Sequence, residues 1–107
     1  MSNLENILIN RNGFYIFTHK VSMELLELAC HSGLYDAVWR PDNIGATIAE
    51  HIIAPLTEGL IELTSNPQLY MLYAPSSDMY RTFLKHISLY LKACMANPNA
   101  KILSCEG

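Results

Sequence analysis

The chain has 107 residues, half of them hydrophobic and 16% charged, which excludes a disordered protein and fits one domain, 1–107, with a single modest core. Its net charge of −3 is unevenly placed: from Glu24 to Glu62 the acids Glu24, Glu27, Asp36, Asp42, Glu50, Glu58 and Glu62 meet one base, Arg40. An acidic middle argues against nucleic-acid binding, which needs a basic footprint, and suits a cationic partner.

Taken in order, Ser2 and Glu5 have capping-box spacing, and Leu4, Ile7 and Leu8 make a short helical stripe ending at Asn12-Gly13. Residues 14–17, Phe-Tyr-Ile-Phe, resemble a strand, but no partner strand is evident, so they read as an apolar connector or the first turn of the next helix. Ser22 can cap a helix over residues 23–31, which Gly33 ends in a left-handed conformation. Residues 34–39 form a helical turn closed by Pro41. Asp42 or Asn43 caps a segment 44–54, which Pro55 kinks or splits before Leu56, Leu60 and Leu63 continue it. Asn66-Pro67 opens a short helix over 68–73.

Residues 78–96 dominate the pattern. At 100° per residue the apolar side chains from Met79 to Met95 fill one arc of roughly 160°. Ser76 or Ser77 caps the start, Asp78 suits the positive end of the helix dipole, and Asn97-Pro98 stops the helix. In the tail, Ile102 and Leu103 tuck back before a frayed end. The expected architecture is therefore all-α: a globule of six to eight short helices around a long C-terminal helix, with strand content near zero.

Little in the chain carries chemistry. His19, His31, His51 and His86 never fall three or four residues apart, HExxH is absent, and no Cys/His cluster has ligand spacing, so no metal is expected. His86 lies at the edge of the apolar arc and reads as half-buried. No nucleophile-elbow or phosphate-loop motif occurs, so neither catalytic residues nor a cofactor are expected. The three cysteines, Cys30, Cys94 and Cys105, are an odd number without CxxC spacing. They read as reduced thiols of a cytoplasmic protein, Cys30 and Cys94 in the core and Cys105 exposed. The N-terminus lacks the pattern of a signal peptide. The apolar run 44–63 is interrupted by Glu50, His51, Pro55, Glu58 and Glu62, which excludes a membrane span.

The candidate partner-binding residues lie in the acidic third. Tyr35, Asp36, Trp39 and Asp42 sit in one proline-bounded turn, and Trp, Tyr and Arg dominate interface hot spots. The competing reading has Trp39 plugging the core while Asp36 and Asp42 cap helices. A second candidate face carries His51, Glu58 and Glu62, which share one stripe if the Pro55 kink is gentle; Glu58 and Glu62 are like charges four residues apart, and Glu50 is a further candidate acid. These acids are either ordinary solvated faces or a footprint for a basic protein.

In size, acidic bias, thiol usage and lack of catalytic motifs, the chain resembles the small helical immunity proteins that neutralise toxins of bacterial contact-dependent growth-inhibition and similar systems. The resemblance is one of type and rests on no sequence motif. It implies one-to-one binding to a cognate toxin, such as a basic nuclease, in the cytoplasm, with carboxylates standing in for substrate phosphates. Two other classes remain open. A helical oligomeric scaffold or regulatory subunit would associate through apolar surface such as the Leu89/Ala93 side of the long helix. A small enzyme would need a histidine and a carboxylate within hydrogen-bond reach.

Overall fold

The structure, a computed structural model, describes residues 3–107. Its first half departs from the sequence expectation. The chain opens with a strand, β1 (Asn3–Ile9), followed by β2 (Tyr15–Ser22), and it closes with β3 (Lys101–Glu106). The three form one antiparallel sheet in the order β2-β1-β3. The all-α expectation is thereby corrected to a mixed α/β architecture, in which the N-terminal strand β1 lies between β2 and the C-terminal strand β3.

The turn between β1 and β2 explains the hairpin. Asn10 accepts at Oδ1 from the N–H groups of Asn12 and Phe14, and its own N–H donates to the Phe14 carbonyl. Gly13 has φ of +85°, the left-handed conformation that a three-residue hairpin loop needs at its last position. Asn12-Gly13, read from sequence as a helix terminator, thus reverses a hairpin, and Phe-Tyr-Ile-Phe leads into its second strand. The capping-box expectation fails at Glu5, which lies in β1; Ser2 lies outside the described residues.

Strand alternation was disguised. The inward row of β1 is Leu4, Asn6 and Leu8, all 0% exposed, so its central residue is polar. The apolar residue on the opposite face, Ile7, is buried between its cross-strand partners Thr18 and Leu103. Leu4, Ile7 and Leu8 therefore also satisfy helical spacing. In β3 the inward row is Ile102, Ser104 and Glu106, which carries one apolar residue. The tail that was expected to fray instead completes the sheet.

The helices cover the inward face. Ser22 caps a 3-10 turn, Met23–Leu25, that continues into α1 (Leu26–His31), and Gly33 takes φ of +79°. Next come α2 (Tyr35–Trp39) and a 3-10 turn over Pro41–Ile44. The chain then breaks at Gly45 (φ +68°), and α3 (Glu50–Ser65) begins six residues later than expected. Neither Asp42 nor Asn43 caps α3. His51 instead folds back, its Nδ1 accepting from the Thr47 N–H at 3.1 Å. Helix α3 runs through Pro55 as one element because Pro55 falls near its first turns, where little ladder is lost. After α4 (Pro67–Tyr70) and a 3-10 turn (Met71–Tyr73), the long helix α5 (Ser77–Ala96) follows, with Ser76 accepting from the Met79 N–H. Its buried apolar residues, Tyr80, Phe83, Ile87, Tyr90 and Cys94, follow the expected arc, and His86 is buried beside them.

The core lies between this arc, the inward sheet face and α3. Leu34 seats on Gly59 of α3, the one helical position without a Cβ to obstruct it. Cys30 is exposed, a correction to its expected core position, whereas Cys94 is buried and its thiol pKa is pushed up to about 12 by burial. No helix among the described residues is long and apolar enough to cross a membrane.

Candidate functional site

The seven candidate residues separate into two groups. In the first, Trp39 is 3% exposed, stacks on half-buried Tyr35 with ring centroids 6.3 Å apart, and donates from Nε1 to the Met23 sulfur at 3.2 Å. A ring so enclosed cannot be offered to a partner. Asp36 accepts from the Asn43 side-chain amide at 3.0 Å. Asp42 makes a two-pronged ion pair with Arg40, at 2.9 and 3.1 Å. The Arg40 hydrogen bond holds the Asp42 carboxyl below the usual carboxylate range, and the same bond raises the Arg40 guanidinium. The charge of Asp42 is thus answered within the chain.

The second group is brought together. At 100° per residue the exposed side of α3 carries Glu50, Ile61, Ala54, Ser65, Glu58, His51 and Glu62 within an arc of roughly 120°. The three glutamates span roughly 18 Å along the helix. Glu62 accepts from the Tyr70 hydroxyl at 2.8 Å, and this bond raises the Tyr70 pKa. Among the described residues the ion pairs are Arg40–Asp42 and Asp78–Arg81, so none of the three glutamates has a basic partner. The like charges Glu58 and Glu62 sit one turn apart on this uncompensated face.

No protein-family model, curated protein or solved structure matches the chain. The site must be read from its own geometry. The three-stranded sheet removes the helical fold from the resemblance to small helical immunity proteins, leaving size and acidic bias as its content.

The sequence did not reveal a polar network at the centre of the molecule. Asn6 on β1, His19 on β2, Ser104 on β3 and His86 on α5 converge with the Val38 carbonyl of α2. Their protons can be assigned from partner chemistry. Asn6 Nδ2 donates to the Val38 carbonyl at 2.8 Å and to Ser104 Oγ at 3.0 Å, and Ser104 Oγ donates to the same carbonyl at 2.8 Å. Asn6 therefore turns Oδ1 to His86 Nε2, 2.7 Å away, and that nitrogen must carry the hydrogen. Neutral His86 then has a bare Nδ1, which accepts from His19 Nδ1–H at 2.6 Å.

His86 is 0% exposed, correcting the expectation of a half-buried residue at the rim of the arc. Burial, and secondarily the nearby His19, lower its pKa from 6.5 to about 3. Such a group holds the neutral tautomer that the hydrogen bonds require, but it cannot touch a substrate. Among the described residues no histidine lies within ion-pair distance of a carboxylate, so the pair that a small enzyme would need is not assembled. No group of three or more His, Cys, Asp or Glu side chains there could hold a metal ion. A pattern did exist in the sequence: Phe17, His19 and Val21 alternate on one face of β2, which would have turned His19 inward once the strand was accepted.

Proposed function

We propose that this protein is a non-catalytic inhibitor of a basic protein, of the immunity type, acting in the cytoplasm through the exposed acidic face of α3. The observation that carries the reading is the row of Glu50, Glu58 and Glu62 on one exposed face with no basic partner among the described residues. Like charges left uncompensated on a helix carry a small stability cost that a cationic partner would reverse. The sign of the face disfavours nucleic acid and favours a protein whose own cleft binds phosphates, such as a nuclease toxin engaged one-to-one. Trp39, Tyr35 and Asp42 support the fold around the site and take no direct part.

Affinity capture from the native lysate tests the proposal, with wild type compared against the E50Q/E58Q/E62Q triple variant at low and high salt. A basic protein held by wild type at low salt, released at high salt and lost with the triple variant is the expected result. Addition of wild type should then abolish that protein's nuclease activity. Equal retention by the triple variant, or retention indifferent to salt, refutes the assignment of the face.

A further inference from the structure

The sheet has a fourth strand position that the chain itself occupies only in part. Asn3 and Gly107 exchange both backbone hydrogen bonds, at 3.1 and 2.9 Å. In an antiparallel ladder this fixes the alternation: odd-numbered residues of β3 address β1, and even-numbered residues turn their N–H and C=O to the opposite side. The segment 46–49 answers the first of these outward groups. Ala49 N–H donates to the Ala100 carbonyl at 2.8 Å, Ile102 N–H donates to the Thr47 carbonyl at 3.2 Å, and Ile48 pairs with Lys101 antiparallel.

The match then stops. Thr47 N–H is drawn away to His51 Nδ1, so the Ile102 carbonyl receives nothing from it. At Gly45, which would oppose Ser104, the backbone turns left-handed and leaves the line. The outward N–H and C=O of Ser104 and Glu106 have no backbone partner among the described residues. Beside this open edge lies a groove of about 440 Å³, walled by Pro41, Ala46, Ile48, Ile102 and Leu103. Unlike β2, whose ladder is broken by a bulge next to Leu8, β3 runs in unbroken register along β1.

We propose that this edge is a binding site for an extended peptide segment of a partner, which adds a strand antiparallel to β3 in line with segment 46–49. This site is independent of the acidic face of α3. Backbone groups of Ser104 and Glu106 supply the hydrogen bonds, and the groove takes alternate apolar side chains. Direction and end charges follow from the rim. Lys101 lines the end closed by segment 46–49 and makes no ion pair among the described residues, whereas Arg40 at the other side already serves Asp42 and feels Glu106. An antiparallel guest ending against Ala46 therefore brings an acidic C-terminal end within reach of the Lys101 side chain and a basic N-terminal end to Glu106.

The test uses the full chain labelled with nitrogen-15 and the peptide Lys-Val-Thr-Val-Thr-Val-Glu. Saturable shifts of the Ser104 and Glu106 amide resonances are expected, with a dissociation constant below about 2 mM. An analogue N-methylated at its central residues should lose the shifts, and Glu-Val-Thr-Val-Thr-Val-Lys should bind at least about threefold more weakly. The proposal is overturned by no saturable shift up to about 2 mM, by shifts centred away from β3, or by equal binding of the methylated analogue. It is also overturned if these resonances shift with protein concentration alone, which would make a second copy of the chain the occupant.

Discussion

The His86 environment makes stability depend on pH in a defined window. The unfolded chain titrates this imidazole near 6.5, whereas the folded chain resists protonation until about pH 3. Below 6.5 the unfolded state therefore binds a proton that the native state refuses, so stability present above 6.5 is lost as pH falls towards 3. At about 1.4 kcal/mol per unit, the loss reaches about 5 kcal/mol once both states are protonated, and about 2 kcal/mol has gone by pH 5. That is a large share of the roughly 5–15 kcal/mol that holds a domain folded. The structural cause is specific. A proton on His86 Nδ1 would place a charge in a fully buried site, beside the His19 ring at a 2.6 Å contact. Urea unfolding from pH 8 to pH 4.5, run on wild type and His86→Gln, isolates the effect. Glutamine can still donate to Asn6 Oδ1; His31 and His51 are common to both proteins and cancel in the difference, which therefore reads His86 together with its bonded neighbour His19. We expect His86→Gln to be less stable by about 1–3 kcal/mol at pH 8, yet to lose about 2 kcal/mol less than wild type on going to pH 5. Parallel pH profiles for the two proteins would refute the assignment of His86 as a buried neutral donor.

Two further substitutions probe the packing that positions the site. Gly59→Ala would normally favour a helix by about 1 kcal/mol, but the new Cβ would sit on the fully buried Leu34 side chain. It should cost about 1–3 kcal/mol in urea unfolding, and an unchanged or raised melting temperature would show that α2 can move away from α3 freely. The Tyr90 hydroxyl is buried without a hydrogen-bond partner among the described residues, and burial raises its pKa far above the ordinary value. Tyr90→Phe keeps the ring stacked on Phe17 at 5.6 Å and should stabilise the protein by about 1 kcal/mol; a loss of that size would reveal a partner for the hydroxyl.

Local physics was legible wherever one element could be recognised from its own residues. The arc of α5 is apolar over five turns, its Ser76 cap and Asn97 stop are side-chain chemistry, and all three were readable in order. The same holds for the Ser22 cap, for Gly33, and for the shared helical face of His51, Glu58 and Glu62, to which only the helix itself added Glu50. The sheet was not legible, because its signal is shared between segments nearly a hundred residues apart. Asn6, His19 and Ser104 look like breaks in an apolar pattern when each strand is read alone. They become a pattern only when β1, β2 and β3 lie side by side and His86 meets them from α5. A polar residue can face a core only if its partners are already there, and those partners are fixed by tertiary pairing rather than by neighbours in the chain. The burial of Trp39 and the pairing of Asp42 with Arg40 were decided in the same way. The sequence alone determined one amphipathic helix, its caps and the sign of the surface; the tertiary structure decided which polar residues are core and which edge of the sheet stays open.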